Sequence, residues 1–274
     1  MSSEQGLLDL AVEAARLAGG LLSERSASGA ERGVASKSTP TDLVSEADLA
    51  AERAIRELLA ARRPEDGFLG EEGGDEAGAS GLRWIVDPLD GTVNYLFGIP
   101  QWSVSVAVAD AEGTLAGAIY DPNRGELFTA ARGLPALMQS AGETTELRGR
   151  AADPRGDGDG DGDALATAMV ATGLAYDASV REAQARVLAR LAGRVRDIRR
   201  LGSAALDLAW TAAGRYDAYY ERSVKAWDVA AGELVCRRAG LEVLELGETS
   251  ALPWGILAAR EGLAGELFEI VRAG

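Results

Sequence analysis

The sequence predicts a protein of the α+β or α/β class with two differently patterned halves. Apolar residues recur at helical spacing in two segments of the first sixty residues, and short alternating strands separated by turns follow, up to about residue 131. Beyond residue 164, short apolar strands alternate with helical patterns, which is typical of an α/β unit with a mixed or parallel sheet. An apolar fraction of 47% over 274 residues is enough for a substantial core.

The N-terminal half begins with two predicted amphipathic helices. The first covers the first twenty-odd residues, and the second begins with a cap near Thr41 or Asp42. Asp48 falls on the apolar face of the second helix. A carboxylate there must be paired, hydrogen-bonded or close to a metal ion, unless it lies at the boundary and reaches water. A brief strand, Gly67–Gly70, follows this helix.

The central stretch of the chain carries a cluster of polar residues at the end of a strand. The apolar strand at 84–86 leads into Asp87 and Asp90, and the proline between them is expected to forbid continued strand pairing. Gly91 and Thr92 come next. Clustered carboxylates suit a hard divalent cation, and free backbone N–H groups suit phosphate. Either dipeptide alone, Asp-Pro or Asp-Gly, is more often a surface turn.

Turns and strands continue beyond this stretch. The pattern predicts an antiparallel meander of three strands, at 103–109, 114–120 and 126–131. Residues 132–164 show no clear element. Their Asp-Gly run resembles the start of a calcium loop, but an EF-hand would need an acid where Ala168 stands. The run is therefore predicted to be a solvated, flexible linker.

This linker divides the chain into two predicted subdomains. The N-terminal α+β subdomain covers residues 1–150 and the C-terminal α/β subdomain covers residues 165–274, with the Asp/Gly-rich linker at 151–164 between them. Strands of the C-terminal part are expected at 168–172, 195–198, 216–221, 241–246 and 256–259, with helices at 180–192, 204–213, 229–239 and 263–271.

Composition excludes several function classes. The formal charge of −15 argues against nucleic acid or an anionic membrane as a general partner, but not against an anionic substrate, because a bound metal can invert the local potential. The absence of histidine excludes Ser-His-Asp and Cys-His catalysis and histidine-ligated zinc. The single cysteine, Cys236, permits no internal disulfide and suits a reducing compartment. With no signal-peptide pattern and no apolar run of membrane length, we expect a cytoplasmic protein.

Acids distant in sequence form the candidate site. Glu71 and Asp87 each follow an apolar strand, so two strands are expected to deliver carboxylates to one edge of a sheet. Asp228 stands just before a run of small residues that is typical of the first turn of a helix. Acids are also favoured at helix N-termini without any further function.

The residues around these acids resemble a known family. Asp-Pro-Leu-Asp-Gly-Thr-Val-Asn-Tyr at 87–95 and Trp-Asp-Val-Ala-Ala-Gly at 227–232 are similar to the two signatures of the inositol monophosphatase family. Gly70-Glu71-Glu72 and the segment 37–48 fall where that family has its glutamate motif and its mobile lysine loop. Two shorter segments also resemble the family, Leu201–Ala205 and Asp217–Glu221.

The resemblance implies a fold and an activity. The fold would be a layered αβαβα sandwich of the sugar-phosphatase type, with the active site between two subdomains. The activity would be phosphoric monoester hydrolysis with two or three Mg²⁺ ions and a metal-activated water, inhibited by Li⁺. The substrate would be a small phosphorylated polyol such as myo-inositol monophosphate, and the assembly a homodimer.

The resemblance also implies roles for individual residues. One Mg²⁺ would be held by Glu71, Asp87 and the carbonyl of Leu89. A second would be held by Asp87, Asp90 and Asp228, and Glu71 would contribute to a weaker third site. The amides of Gly91 and Thr92 would cradle the phosphate, beside Asp90 and Asp228. The alcohol part of the substrate would be faced by Gly202, Ser203, Ala204 and Glu221. Lys37 would be the loop lysine. Deprotonation of the water would fall to Glu71, or to Thr92 hydrogen-bonded to Asp48.

Other functions stay open at this point. Histidinol phosphate, fructose 1,6-bisphosphate and adenosine 3′,5′-bisphosphate are substrates of relatives with the same chemistry. A different class of function is a regulatory binding protein with a secondary or vestigial phosphatase site. A metal-storage or structural acidic protein fits less well, because the acids lie at strand and helix ends rather than in a tail.

Overall fold

The computed structural model describes residues 3–28, 35–36, 43–150 and 164–272. The helices are α1 (Glu4–Ser28), α2 (Glu46–Arg62), α3 (Thr92–Leu96), α4 (Ala178–Leu191), α5 (Ala204–Ala212), α6 (Ala226–Arg238) and α7 (Ala264–Val271). The strands are β1 (Ala35–Ser36), β2 (Leu43–Val44), β3 (Gly67–Gly70), β4 (Gly74–Glu76), β5 (Arg83–Asp90), β6 (Ser103–Asp110), β7 (Gly113–Asp121), β8 (Glu126–Ala131), β9 (Leu137–Ser140), β10 (Glu143–Glu146), β11 (Met169–Thr172), β12 (Asp197–Arg199), β13 (Ala218–Arg222), β14 (Glu242–Leu246) and β15 (Gly255–Ala259).

These elements stack in five layers. Helices α1 and α2 cover one face of an eight-stranded sheet, α5 and α6 lie between that sheet and a five-stranded sheet, and α4 and α7 cover the outer face of the smaller sheet. Three apolar clusters fill the spaces between the layers, because a sheet or helix must bury its apolar face against another element. The cluster around α5 and α6 contacts both sheets, and the other two lie under the outer helices. The layered αβαβα sandwich expected from the sequence is therefore confirmed.

The strand order places the ends of β3 and β5 side by side. The larger sheet has the order β10-β9-β8-β7-β6-β5-β3-β4, in which β3 and β5 are parallel and the other neighbours are antiparallel. The smaller sheet, β12-β11-β13-β15-β14, is mixed, as expected: β11 is parallel to both of its neighbours, and the other pairs are antiparallel.

Small residues allow helix α6 to pack very close to the larger sheet. A Cβ atom built on Gly117 of β7 would lie 2.9 Å from the Cα of Ala231 in α6. One built on Gly232, on α6 itself, would lie 2.6 Å from a methyl carbon of Leu208 in α5. Both approaches are tighter than side chains permit, so glycine is required at these two points.

Two predictions about strand structure were wrong. Residues 132–164 were expected to lack structure, but β9 and β10 form a hairpin whose turn residues, Ala141 and Gly142, both have positive φ. This hairpin was only weakly indicated by the sequence, because β10 is exposed and carries no apolar residue. Strand β5 was expected to stop at its proline, yet it pairs with β6 as far as Asp90. An irregularity in the register between Asp87 and Asp90 accommodates the proline, as bulges do.

The start of the second helix also differs from its prediction. Helix α2 is capped by Ser45, whose backbone N–H donates to Asp48, whereas Thr41 and Asp42 lie outside the described residues. Residues 151–163 of the predicted linker are likewise outside them. Among the residues described, no helix combines the length and apolar character needed to span a membrane.

Candidate active site

Four carboxylates from three parts of the chain line one cavity. Glu71 follows β3 and Asp87 lies on β5, and the pairing of Gly70 with Val86 brings the ends of these parallel strands together. Asp90 ends β5, and Asp228 lies in the first turn of α6. All four line the same cavity, which opens between the two sheets.

Backbone and hydroxyl donors hold three of these carboxylates. Asp87 accepts from the N–H of Leu89 at 3.0 Å, and Asp228 accepts from the N–H of Lys225 at 2.6 Å. Asp90 accepts three hydrogen bonds from the start of α5: from Ser203 Oγ at 2.6 Å and from the N–H groups of Ala204 at 3.2 Å and Ala205 at 2.7 Å. Asp90 therefore ties the larger sheet to α5.

Burial and mutual repulsion shift the acidity of these groups. Burial raises the pKa of Asp87 well above its usual value, and neighbouring carboxylates add to the shift: Glu71, Asp90 and Asp228. The pKa of Asp228 is raised in the same way, by burial and then by Asp90 and Glu71. Burial raises the pKa of Asp90 to about 6, although its hydrogen bonds oppose the shift. Buried carboxylates that repel one another are stabilised by cations placed between them.

The donor set fits a hard divalent cation. It consists of carboxylate oxygens, without histidine or thiol ligands, and oxygen ligands of this kind suit Mg²⁺. In the parts of the chain that the structure describes, no three acids already stand in a coordinating arrangement. Asp87, Asp90 and Asp228 are instead turned onto protein donors. The hydrogen bonds of Asp87 and Asp228 each occupy one carboxylate oxygen, so the second oxygen of each carboxylate is available to a cation.

Thr92 and Asp48 form a buried hydrogen-bonded pair beside the acids. Thr92 Oγ1 lies 2.8 Å from Asp48 Oδ1 and 3.0 Å from the carbonyl oxygen of Leu89, so its one proton is donated to either. The other carboxylate oxygen of Asp48 accepts from Ser45 Oγ at 2.6 Å. Gly91 precedes α3 with φ of 100°, and a Cβ there would lie 2.9 Å from the carbonyl oxygen of Gln101. Glycine is therefore required at this turn.

The other end of the cavity is formed by α5 and β13. Gly202, Ala204 and Glu221 line it, whereas Ser203 is buried behind Asp90 and donates to it. Leu89, whose side chain is buried, also lines the cavity. Burial raises the pKa of Glu221 to about 7, against the hydrogen bond that Tyr219 Oη donates to it at 2.9 Å. Lys37, the predicted loop lysine, lies outside the described residues.

Sequence reasoning missed three cations that line the cavity, Arg200, Arg222 and Lys225, and one supporting acid. Arg200 and Lys225 line the cavity, and each stands within three residues of a motif that the sequence already singled out. That proximity was the available signal. Glu52, which is 4% exposed, accepts from the N–H of Glu72 at 2.8 Å and so fixes the turn that carries Glu71.

Comparison with known proteins identifies relatives over most of the chain. The model of the inositol monophosphatase family matches residues 3–272. An inositol-1-monophosphatase of Mycobacterium bovis is 42% identical over 241 residues, covering 85% of this chain and 79% of the relative. A protein of Haemophilus influenzae named Nus factor SuhB is 36% identical over 273 residues, covering 97% of this chain and 96% of the relative.

A solved structure is similar over almost the whole chain. The crystal structure of extragenic suppressor protein suhB from Bartonella henselae superposes with a TM-score of 0.83 and 36% identity, covering 96% of this chain and 97% of that one. The family model, the relatives and this structure agree with one another, and this chain belongs to the inositol monophosphatase family.

Proposed function

We propose that this protein is a Mg²⁺-dependent phosphomonoesterase that hydrolyses myo-inositol monophosphate to inositol and phosphate. The observation that carries the proposal is the convergence of four carboxylates on one cavity. Membership of a family of phosphatases that are generally metal-dependent supports the reaction class. The inositol-1-monophosphatase names of the relatives at 42% identity support the choice of ester.

The proposed cation ligands are four of the five acids that line the cavity, all except Glu221. Glu71, Asp87 and the carbonyl of Leu89 would hold one ion, and Asp87, Asp90 and Asp228 would hold a second, with a weaker third beside Glu71. When bound, these ions would supply positive charge that stabilises the attacking and leaving oxygens of an in-line displacement.

Other groups of the chain would orient and deprotonate the reactants. The N–H groups of Gly91 and Thr92 would bind the phosphate, and Ser203 would hold Asp90 in position. The hydroxyl of Thr92, 2.8 Å from Asp48 Oδ1, would accept a hydrogen bond from the attacking water and pass a proton toward Asp48. Glu71 is the alternative base. Gly202, Ala204 and Glu221 would contact the hydroxyl groups of the alcohol.

The adjacent glutamates at 71 and 72 offer a matched test. Only Glu71 lines the cavity, so Glu71→Gln should lower kcat/KM for myo-inositol 1-phosphate by about a hundredfold or more, and Glu72→Gln should stay within about threefold of the wild type. Circular dichroism and thermal unfolding would verify that both variants fold. Equal losses in the two variants would contradict the proposed role of Glu71.

A panel of esters tests the substrate itself. Wild-type activity would be measured with Mg²⁺, with and without Li⁺, on myo-inositol 1-phosphate, histidinol phosphate, fructose 1,6-bisphosphate and adenosine 3′,5′-bisphosphate. We expect the inositol ester to have the highest kcat/KM and its hydrolysis to be inhibited by Li⁺. A histidinol phosphate rate equal to or above the inositol rate would overturn the choice of ester.

A regulatory binding role is the second candidate function. Two relatives, from Pasteurella multocida and Haemophilus influenzae, carry the name Nus factor SuhB. The Glu71→Gln variant separates the two roles, because it removes the chemistry and leaves the outer surface unchanged. A cellular phenotype of gene deletion that this variant rescues would favour the binding role over the hydrolytic one.

We also propose a homodimer. Two large apolar side chains just beyond α3, Phe97 and Ile99, are 73% and 48% exposed, and apolar surface of this kind is common at protein interfaces. Analytical ultracentrifugation of the wild type and of Phe97→Ser tests this assignment: the variant should shift toward the monomer.

A further inference from the structure

Two exposed cationic side chains line the cavity. Among the described residues, neither Arg200 nor Lys225 forms an ion pair or a side-chain hydrogen bond, and both residues are exposed. Arg222, a third cation that lines the cavity, differs from them because it is buried. Its guanidinium donates to five backbone carbonyls, those of Leu246, Gly247, Pro253, Val271 and Arg272.

The two cations stand beside different parts of the cavity lining. Lys225 stands beside the proposed metal ligands, since its own N–H donates to Asp228. Arg200 stands near the part formed by α5 and β13, where its charge acts on Glu221 and Asp207. A substrate whose phosphate lies against Gly91 and the metal ligands would therefore extend its alcohol part toward Arg200.

The turn that carries Arg200 leaves room for its guanidinium. Gly202 has φ of 86°, and a Cβ atom at that position would lie only 2.6 Å from Nη1 of Arg200. The guanidinium therefore lies directly over the glycine. Asn94 fixes the turn from the other side, because its Nδ2 donates at 2.7 Å to the carbonyl of Leu201 and at 2.7 Å to that of Gln101.

Arginine at such a position is suited to a second anion. Its planar fork binds phosphate and carboxylate groups through two parallel hydrogen bonds, and it keeps its charge at any physiological pH. Glu221, which lines this part of the cavity, is already hydrogen-bonded to Tyr219 and forms no ion pair with Arg200. A substrate with a negative group on its alcohol part would form a charge-assisted pair with this guanidinium, which a neutral polyol cannot form.

We propose that Arg200 is a specificity-determining residue that binds a second negatively charged group on the alcohol part of the substrate. This inference rests on the proposed phosphomonoesterase function and extends it. Compared with a variant that lacks the cation, the wild type should then have a higher kcat/KM for phosphomonoesters whose alcohol carries a phosphate or carboxylate, relative to its kcat/KM for neutral esters.

Steady-state kinetics of three esters tests the inference. The esters are myo-inositol 1-phosphate, fructose 1,6-bisphosphate and 2-phosphoglycerate, which carry no second anion, a phosphate and a carboxylate, respectively. Arg200→Ala should lower the ratio of kcat/KM for fructose 1,6-bisphosphate to that for myo-inositol 1-phosphate by about tenfold or more, mainly through KM. Arg200→Lys should recover part of the ratio. A similar loss with 2-phosphoglycerate would extend the site to carboxylates, whereas a loss with the bisphosphate alone would restrict it to phosphate.

Arg199 supplies the matched control. Its guanidinium pairs with Asp197 at 2.6 Å on β12, and it does not line the cavity. Arg199→Ala should keep the ratio within about threefold of the wild type. If Arg200→Ala lowers the rates of all esters equally, or of none, the second-anion site is refuted while the proposed function stands. If the wild type hydrolyses none of the esters with Mg²⁺, it is the proposed function that fails.

Discussion

The buried carboxyl group of Asp207 leads to a prediction about stability and pH. Asp207 lies in α5, has no exposed surface, and neither of its carboxyl oxygens has a hydrogen-bond partner among the described residues. Burial raises its pKa well above the usual value, the charges of Glu221 and Asp90 raise it further, and Arg200 opposes the shift. Tyr219, whose pKa is raised in part by Asp207, faces it from β13.

A raised pKa makes this group destabilising as the pH rises. In the unfolded chain an aspartate ionises near pH 4, whereas in the folded protein Asp207 keeps its proton, so unfolding releases a proton. Between the ordinary pKa and the raised one, the free energy of unfolding falls by up to about 1.4 kcal/mol per pH unit because of this group. Asp207→Asn removes the titration. We expect its stability advantage over the wild type to grow from pH 5 to pH 7, by at most about 1.4 kcal/mol per pH unit.

Urea unfolding at pH 5, 6 and 7 in EDTA measures this difference. The buried acids that do not interact with Asp207 contribute equally to both proteins, and the measured difference therefore reports Asp207 together with its coupling to Glu221 and Asp90. Asp110→Asn is the control. Arg132 lowers the pKa of Asp110, so its contribution is already complete above pH 4 and the difference from the wild type should not change over this range. A flat difference for Asp207→Asn as well would show that Asp207 is ionised and partnered, and would refute the reasoning.

Two glycine substitutions test the tight contacts around the site and the central layer. A Cβ at Gly173 would overlap the carboxyl group of Glu221, so Gly173→Ala should displace that group. Steady-state kinetics should then show kcat/KM for myo-inositol 1-phosphate lowered by about tenfold. An unchanged kcat/KM would show that Glu221 does not contact the substrate. Gly232→Val should lower the free energy of unfolding by about 2 kcal/mol, because its side chain would overlap a leucine of α5. Gly20→Ala, in an open part of α1, should raise it by up to about 1 kcal/mol in the same urea titrations, and equal effects of both changes would contradict the packing argument.

The two halves of the fold were predictable because their periodicity is strong. The helix α1 and the meander strands β6 to β8 follow their apolar patterns closely, and the mixed sheet of the C-terminal half follows from alternating strands and helices. The carboxylates at 71, 87 and 90 were recognisable for a related reason. Each lies at or just beyond the end of an apolar run, and parallel strands deliver their ends to one edge of a sheet.

The rest depended on information that spacing does not contain. Strand β10 is exposed and polar, so its pairing is set by the turn at Ala141 and Gly142 rather than by an apolar face. Arg200 and Lys225 could not be separated from the many other cations of the sequence, because only the folded chain determines which of them face the cavity. Asp207 lies inside the apolar run of α5, and this position in the sequence already indicated that its carboxyl group would be buried.

The packing of helix α6 couples the candidate active site to the stability of the central layer. It is clamped against the larger sheet at Gly117 and against α5 at Gly232, and its first turn presents Asp228 to the cavity. Unfolding that separates the two sheets would therefore remove the Asp228 carboxylate from the cavity together with the packing of the central layer. Loss of catalysis and loss of structure should then coincide during denaturation, and neither half expressed alone should regain turnover.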